Sequence, residues 1–192
     1  MSTHVPSRPT PTTLLDDEAV ARILSRIAHE VIERNPDLGE VALVGIHTRG
    51  VPLARRIQAL VDERSGFELD LGAIDITHHR DDSPRRRQAV LHATELDFEL
   101  DGRTCILVDD VLFTGRTVRA AMDALLEHGR PARIQLAVVA ERGHRELPIR
   151  PDYVGKNLPT APGERVQVQL VETDGVDRVL LVPAAAAEEV VA

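Results

Sequence analysis

Two adjacent carboxylates follow an apolar segment in the stretch ILVDDVLFTGRT, which spans residues 106–117. The run from Cys105 to Val108 predicts a buried strand, with Asp109 and Asp110 at its end. Because an unpaired buried charge costs several kcal/mol, these carboxylates need partners. They either cap a neighbouring element, hold a structural Ca²⁺ or Mg²⁺, or bind a ligand.

The residues after the carboxylates predict an anion site. Thr114-Gly115-Arg116-Thr117 forms a glycine turn leading into a helix, whose first N–H groups and dipole favour a phosphate. An ordinary threonine cap after a turn is the alternative. An anion loop directly after two acids suits a phosphorylated sugar, with its phosphate in the loop and two hydroxyls on the carboxylates. The chain contains neither a P-loop nor a G-x-G-x-x-G fingerprint.

The composition is that of an ordinary globular protein. The 192 residues suffice for one medium domain, with 43% hydrophobic and 28% charged residues. No apolar run approaches the roughly 18–20 residues of a membrane span, and the N-terminus lacks a signal-peptide pattern. The single cysteine, Cys105, predicts a reducing, cytoplasmic location. A net charge of −8 argues against general nucleic-acid binding but leaves room for a local basic patch.

Helical and strand patterns alternate along the chain. The predicted helices span residues 16–34, 51–64 and 117–128, and the predicted strands span 41–46, 68–77, 104–110, 133–142, 164–172 and 177–182. The charge-rich residues in between predict a mobile loop over 78–92. We expect a disordered N-terminal arm over residues 1–13, a single domain over 14–182 and a frayed C-terminal tail over 183–192.

This alternation predicts an α/β fold with a mostly parallel central sheet flanked by helices. In such sheets ligands bind beyond the carboxyl ends of the strands. Four segments leave carboxyl ends of predicted strands, namely HTRG at 47–50, the 78–92 loop, residues 109–117 and the residues after Arg142. We expect them to meet at one rim of the sheet.

The stretch at 106–117 resembles the phosphoribosyl diphosphate (PRPP) motif of type I phosphoribosyltransferases, in which apolar residues precede two acids and Thr-Gly-x-Thr. The resemblance implies the fold of that family, with a small hood and a mobile loop. It implies that Asp109 and Asp110 contact the ribose hydroxyls and, with Arg49 and Arg80, act in catalysis. The residues it implies for substrate binding are Thr48, Arg49, Arg80, Asp109, Asp110, Val111, Leu112, Phe113, Thr114, Gly115, Arg116 and Thr117.

The resemblance also gives roles to two other segments. In type I enzymes the turn after the first strand binds pyrophosphate, often through a non-proline cis peptide, and here that turn is 47–50. Arg49 and Arg80 suit the leaving pyrophosphate because guanidinium pairs bidentately with phosphate oxygens; a solvated turn is the alternative for Arg49. The 78–92 loop matches the family's lid. We expect no metal ligands from the protein, and Mg²⁺ is implied as a cofactor bound mainly through PRPP.

Longer blocks, among them VGIHTRG, DITHHRDD, ERGHRELPIRPDYVGKNLPT and VQVQL, are similar to the pyrimidine operon regulatory proteins, from about residue 15 to residue 170. Many members of that family also convert uracil and PRPP into UMP and diphosphate. The similarity implies a homodimer or higher homo-oligomer that binds pyrimidine-operon leader RNA in response to uridine nucleotides. A transferase alone, a regulator with weak or no transferase activity, and a transferase for another base such as hypoxanthine are the alternatives.

The matching blocks also imply an RNA-binding surface. Its residues are Ser25, Arg26, His29, His144, Arg145, Arg150 and Lys156, which we call the RNA face. An exposed helix with arginines for solubility is the alternative for the first three. The chain departs from the common family pattern at Phe113, where many members have tyrosine, and at Ser25, where threonine is more familiar. We expect uracil to be read near residues 153–156 and activity to survive the loss of the tyrosine hydroxyl.

Overall fold

A parallel five-stranded sheet forms the centre of the protein. The computed structural model describes residues 10–79 and 93–184. The strands are β2 (Val41–Ile46), β3 (Asp70–Ile74), β4 (Thr104–Leu112), β5 (Arg133–Glu141) and β6 (Tyr153–Asn157), in the order β3-β2-β4-β5-β6. All six residues of β2 are buried, as expected for a parallel sheet covered on both faces.

Three helices cover this sheet: α1 (Asp17–Arg34), α2 (Gly50–Ser65) and α3 (Arg116–His128). Each lies within about a residue or two of its predicted bounds. The start of α1 is fixed by Asp16, whose carboxylate accepts from the Ala19 N–H at 2.8 Å. Gly66 ends α2 with a φ of 69°, a left-handed conformation that suits glycine.

Alternate residues of the strands belong to two separate hydrophobic cores, one on each face of the sheet. Ile106 and Val108 of β4 pack with α1 and α2, whereas Cys105 and Leu107 pack with α3 on the opposite face. This follows from the two-residue period of a strand. Helices therefore cover both faces of the sheet.

A second, small antiparallel sheet is built from β1 (Thr12–Leu15), β8 (Arg178–Val182) and β7 (Arg165–Gln169), in that order. It forms the expected hood. Between β7 and β8 lies a one-turn helix, α4 (Val171–Asp174). The prediction of a strand over 164–172 is therefore wrong beyond Gln169, because the chain turns there and Asp174 accepts from the Leu170 N–H at 3.0 Å.

Three further sequence predictions differ from the structure. Thr12 and Thr13 pair with Leu181 and Leu180, so the predicted disordered arm is wrong at these two residues, while residues 1–9 lie outside the described part. Strand β6 was not predicted at all. The predicted strand 68–77 is shorter, since the Asp75 carboxylate accepts from the N–H and hydroxyl of Thr77 and turns the chain.

Candidate functional site

The strand order reverses between β2 and β4, and the candidate site lies beyond their carboxyl ends. The turn at 47–50 leaves β2 there. A Cβ on Gly50 would collide with the Val108 carbonyl oxygen, so only glycine lets the first turn of α2 lie against β4. The turn is thereby held beside Asp109, the next residue of β4.

The two carboxylates lie within β4 rather than after it, because the strand continues to Leu112. Asp109 is buried, and its Oδ1 accepts from the Asp110 N–H at 2.9 Å. Asp110 accepts from the Val111 N–H at 2.8 Å. Burial raises the pKa of Asp110, and the nearby Arg49 charge and the Val111 N–H oppose that rise. The structure thus brings Arg49 and the acid pair into one site.

The turn at 47–50 has the geometry that the resemblance implied. The His47–Thr48 peptide is cis, and Thr48 is exposed. Arg49 donates from Nη2 and Nε to the two carboxylate oxygens of Asp174 in α4, at 2.8 and 3.3 Å. A carboxylate from the hood therefore engages the guanidinium in the forked geometry that phosphate oxygens also use.

Hydrogen bonding at Asp174 links stability to pH. Burial raises the pKa of this carboxyl, but the hydrogen bonds from Arg49, the Thr173 hydroxyl and the Leu170 N–H outweigh it and lower the pKa to about 2. Since the folded pKa lies below the unfolded value, the carboxylate stabilises the fold above about pH 4, and this contribution is lost as the pH falls towards 2.

We expect Asp174→Asn to flatten the acid dependence of stability. The free energy of unfolding in urea, measured from pH 2 to pH 6, should fall less steeply with acid in the variant than in the wild type. Asp62→Asn, at an exposed position on α2, should follow the wild-type curve. Parallel curves for Asp174→Asn and wild type would contradict the assignment.

The loop after β4 encloses a cavity of about 270 Å³, lined by residues 111–118 and Glu146. Gly115 precedes α3 with a φ of 92°, and α3 begins at Arg116. The Thr114 hydroxyl accepts from the Arg116 N–H at 3.3 Å, but the N-cap position is held by Gly115 without a side-chain capping bond, so the threonine-cap alternative is not observed. The amino end of a 13-residue helix opens on a cavity suited to a phosphate.

Sequence reasoning missed a cation stacked on Phe113. The Arg142 guanidinium lies 3.9 Å from the ring centroid, and the His144 ring stands edge-on at 6.2 Å. Arg142 is buried and donates to the Glu164 carbonyl at 2.6 Å and to the Thr160 hydroxyl at 3.2 Å. Burial lowers the pKa of Arg142. The available signal was an arginine two residues after the apolar run at 136–140.

We expect Phe113→Tyr to retain the UMP synthesis that the resemblance implies, because the ring is 41% exposed and a hydroxyl can reach solvent. Phe113→Ala removes the cation–π contact and should lower the free energy of unfolding by about 0.5–1 kcal/mol. Steady-state turnover and urea unfolding of the two variants check this. A folded Phe113→Tyr protein without activity would contradict this prediction.

The structure brings part of the RNA face together. Arg26 of α1 and Lys156 of β6 line one surface pocket, and Arg26 donates to the carbonyls of Val154 and Gly155. Ser25 accepts from Arg64 at 2.8 Å, and His29 is exposed on the same helix. His144, Arg145 and Arg150 are also exposed but lie on the segment before β6.

Several predicted features lie elsewhere. Arg80 and most of the 78–92 loop fall outside the described residues. Within 10–79 and 93–184, no group of three or more His, Cys, Asp or Glu side chains is placed to hold a metal ion. In the same ranges no helix is long and apolar enough to cross a membrane.

Comparison with known proteins identifies close relatives. The profile of the family described as "Phosphoribosyl transferase domain" matches residues 11–173. The chain is 58% identical over 176 residues to "Bifunctional protein PyrR" of Deinococcus deserti, covering 91% of this chain and 96% of the relative. The protein of the same name from Clostridioides difficile is 53% identical over 169 residues, covering 88% of this chain and 96% of the relative.

Solved structures share the fold at low identity. The hypoxanthine phosphoribosyl transferase of Trypanosoma cruzi matches with a TM-score of 0.71 and 16% identity, over 94% of this chain and 96% of that one. The HGPRT-ase of Leishmania tarentolae, solved in complex with GMP, matches with a TM-score of 0.66 and 15% identity, over 90% of this chain and 95% of that one. The parallel sheet, its flanking helices and these likenesses confirm the type I phosphoribosyltransferase fold.

Proposed function

Because the chain belongs to the phosphoribosyl transferase family and, within it, to the bifunctional PyrR proteins, we propose that it converts uracil and PRPP into UMP and diphosphate and regulates pyrimidine genes by binding their mRNA. One observation carries the transferase part of this proposal. An acid pair, of which Asp109 is buried and Asp110 half-buried, lies where the strand order reverses, and a cavity of about 270 Å³ at a helix amino end follows it directly.

The chain's own residues position the sugar. Asp109 and Asp110 accept from the two ribose hydroxyls, and the loop at 111–117 holds the 5′-phosphate. Fixing both ends of the ribose presents its anomeric carbon to uracil, whose N1 loses its proton to solvent and forms the new bond as the bond to diphosphate breaks. Positioning of this kind and stabilisation of the leaving group supply most of the catalysis.

The leaving diphosphate meets the turn at 47–50. Arg49 supplies a guanidinium there, and it is the Asp174 carboxylate that holds this guanidinium in place. Diphosphate therefore displaces the Asp174 carboxylate and accepts from the N–H groups of Arg49 in its place. Arg80 is proposed to act on the same leaving group.

The acid pair fits Mg²⁺ carried by PRPP. This ion takes oxygen ligands and is commonly bound through one or two carboxylates together with substrate phosphates. PRPP itself would supply most of these oxygens, with Asp109 and Asp110 beside the ion, and within the described residues no group of three or more His, Cys, Asp or Glu side chains is placed to hold it. When bound, Mg²⁺ neutralises charge on the diphosphate.

The regulatory half places pyrimidine-operon leader RNA on the RNA face. Arg26 and Lys156 supply positive charge at one surface pocket of a chain of net charge −8, and Arg150 adds an exposed charge on the segment before β6. Such charges suit contact with phosphate. UMP in the transferase site shifts RNA affinity, and RNA shifts UMP affinity by the same factor. We propose a homo-oligomer acting in the cytoplasm.

Two measurements on one preparation test this function. UMP formation from uracil, PRPP and Mg²⁺ is expected, with hypoxanthine as a control base that gives no product. A gel shift with the source organism's pyrimidine-operon leader is expected to change when UMP is added. Turnover without RNA binding would leave a transferase alone; RNA binding without turnover would leave a regulator.

A further inference from the structure

The segment that follows β5 carries part of the RNA face and packs against the phosphate loop. We call residues 142–150 the connecting segment. Its Glu146 and Leu147 N–H groups both donate to the Thr114 carbonyl, at 3.0 and 3.2 Å. The Leu147 and Ile149 side chains lie 3.3 and 3.5 Å from where a Cβ on Gly115 would be. A change in the loop therefore reaches this segment directly.

The Thr114–Gly115 peptide unit lies between the connecting segment and the cavity. Its carbonyl is held by the connecting segment. Because a trans peptide directs its N–H opposite to its C=O, the Gly115 N–H points away from that segment. Gly115 also lines the cavity. One peptide plane thus separates the proposed phosphate position from the backbone of the segment that bears His144, Arg145 and Arg150.

A carboxylate lines the same cavity. Glu146 accepts from Arg116 at 2.9 Å (Nε) and 2.8 Å (Nη2). The two side chains are 52% and 40% exposed, and exposed ion pairs of this kind contribute little to stability. A phosphate dianion pairs more strongly with guanidinium and repels a carboxylate beside it. The ion pair is therefore easily exchanged when a phosphate arrives.

We propose that Glu146 is the residue through which the 5′-phosphate of a bound nucleotide acts on the RNA face. This rests on the proposed function of the site. The phosphate takes over Arg116 and expels Glu146, which breaks the Glu146–Arg116 link between the connecting segment and the loop. The ligand class is a sugar 5′-phosphate, so UMP acts by this route, whereas uridine, which has no phosphate, does not.

Replacing Glu146→Gln tests the proposal, because it removes the charge and keeps the size of the side chain. We expect UMP to bind about three- to tenfold more tightly, since a like charge leaves the cavity. Without nucleotide, the variant should bind leader RNA as the wild type does with UMP. The ratio of RNA affinities with and without UMP should therefore fall below about twofold, against about fivefold or more in the wild type.

Asp123→Asn is the matched control. It breaks the 2.8 Å pair between Arg119 and Asp123 on α3, whose carboxylate is 50% exposed, outside the cavity. This variant should keep wild-type UMP affinity and RNA response. Unchanged UMP affinity and RNA response in Glu146→Gln would overturn the proposal alone. A wild-type protein whose RNA affinity ignores UMP would overturn it together with the regulatory half of the proposed function.

Discussion

Asp110→Asn is expected to lower kcat/KM for PRPP by about 10- to 150-fold, because a hydrogen bond to a charged partner contributes about 1.5–3 kcal/mol. The change keeps the shape of the side chain. It also removes a charge whose burial is unfavourable, so the fold should not suffer. Steady-state kinetics with varied PRPP and a thermal unfolding curve measure the two effects.

The control and a pH profile sharpen this test. Asp62→Asn makes the same chemical change at an exposed position of α2 and should leave the kinetics unchanged. Since burial raises the pKa of Asp110, the wild type should lose PRPP affinity on acidification before an exposed aspartate would protonate. Kinetics of Asp110→Asn equal to wild type would refute the ribose-binding role.

Arg150→Ala combined with Lys156→Ala is expected to weaken leader RNA binding by about 10- to 100-fold at physiological salt. Both side chains are exposed. Arg26 is less suitable for this test, because its guanidinium also ties α1 to the Val154 and Gly155 carbonyls. Losing two phosphate contacts should also reduce the slope of log affinity against log salt by about 1.4–1.8.

UMP synthesis separates this RNA effect from damage to the site, and it should stay within about twofold of wild type in the double variant. The matched control is Arg55→Ala with Arg133→Ala, which removes the same charge from exposed positions on α2 and at the start of β5. An equal loss of RNA affinity in the control would attribute the effect to net charge and contradict the assigned face.

Local patterns predicted the elements that local chemistry determines. Helix α1 has an aspartate cap and six buried apolar residues at helical spacing, and β2 is apolar throughout. Strand β6 reads YVGKN and ends in two exposed polar residues, so its identity depends on pairing with β5 rather than on its own pattern. The same holds for Thr12 and Thr13, which become a strand only beside β8.

The candidate site divides in the same way. Asp109, Asp110 and the loop after them are contiguous, so their spacing alone predicted a phosphorylated sugar. The pair between Arg49 and Asp174 joins residues 125 positions apart, and the Arg142 guanidinium meets Phe113 only after β4 and β5 have paired. No periodicity in a sequence encodes such contacts, because the first depends on how the hood lies over the sheet and the second on how two strands of the sheet pair.

The position of β1 has a consequence for handling the protein. β8 is the middle strand of the hood, with β1 on one side and β7 on the other. Deleting residues 10–15 would leave the backbone of RVLLV unpaired along one side, and a bare apolar edge invites strand addition from a second molecule. The short threonine-rich strand thus protects the chain against aggregation, and shortened versions intended for crystallisation should retain it.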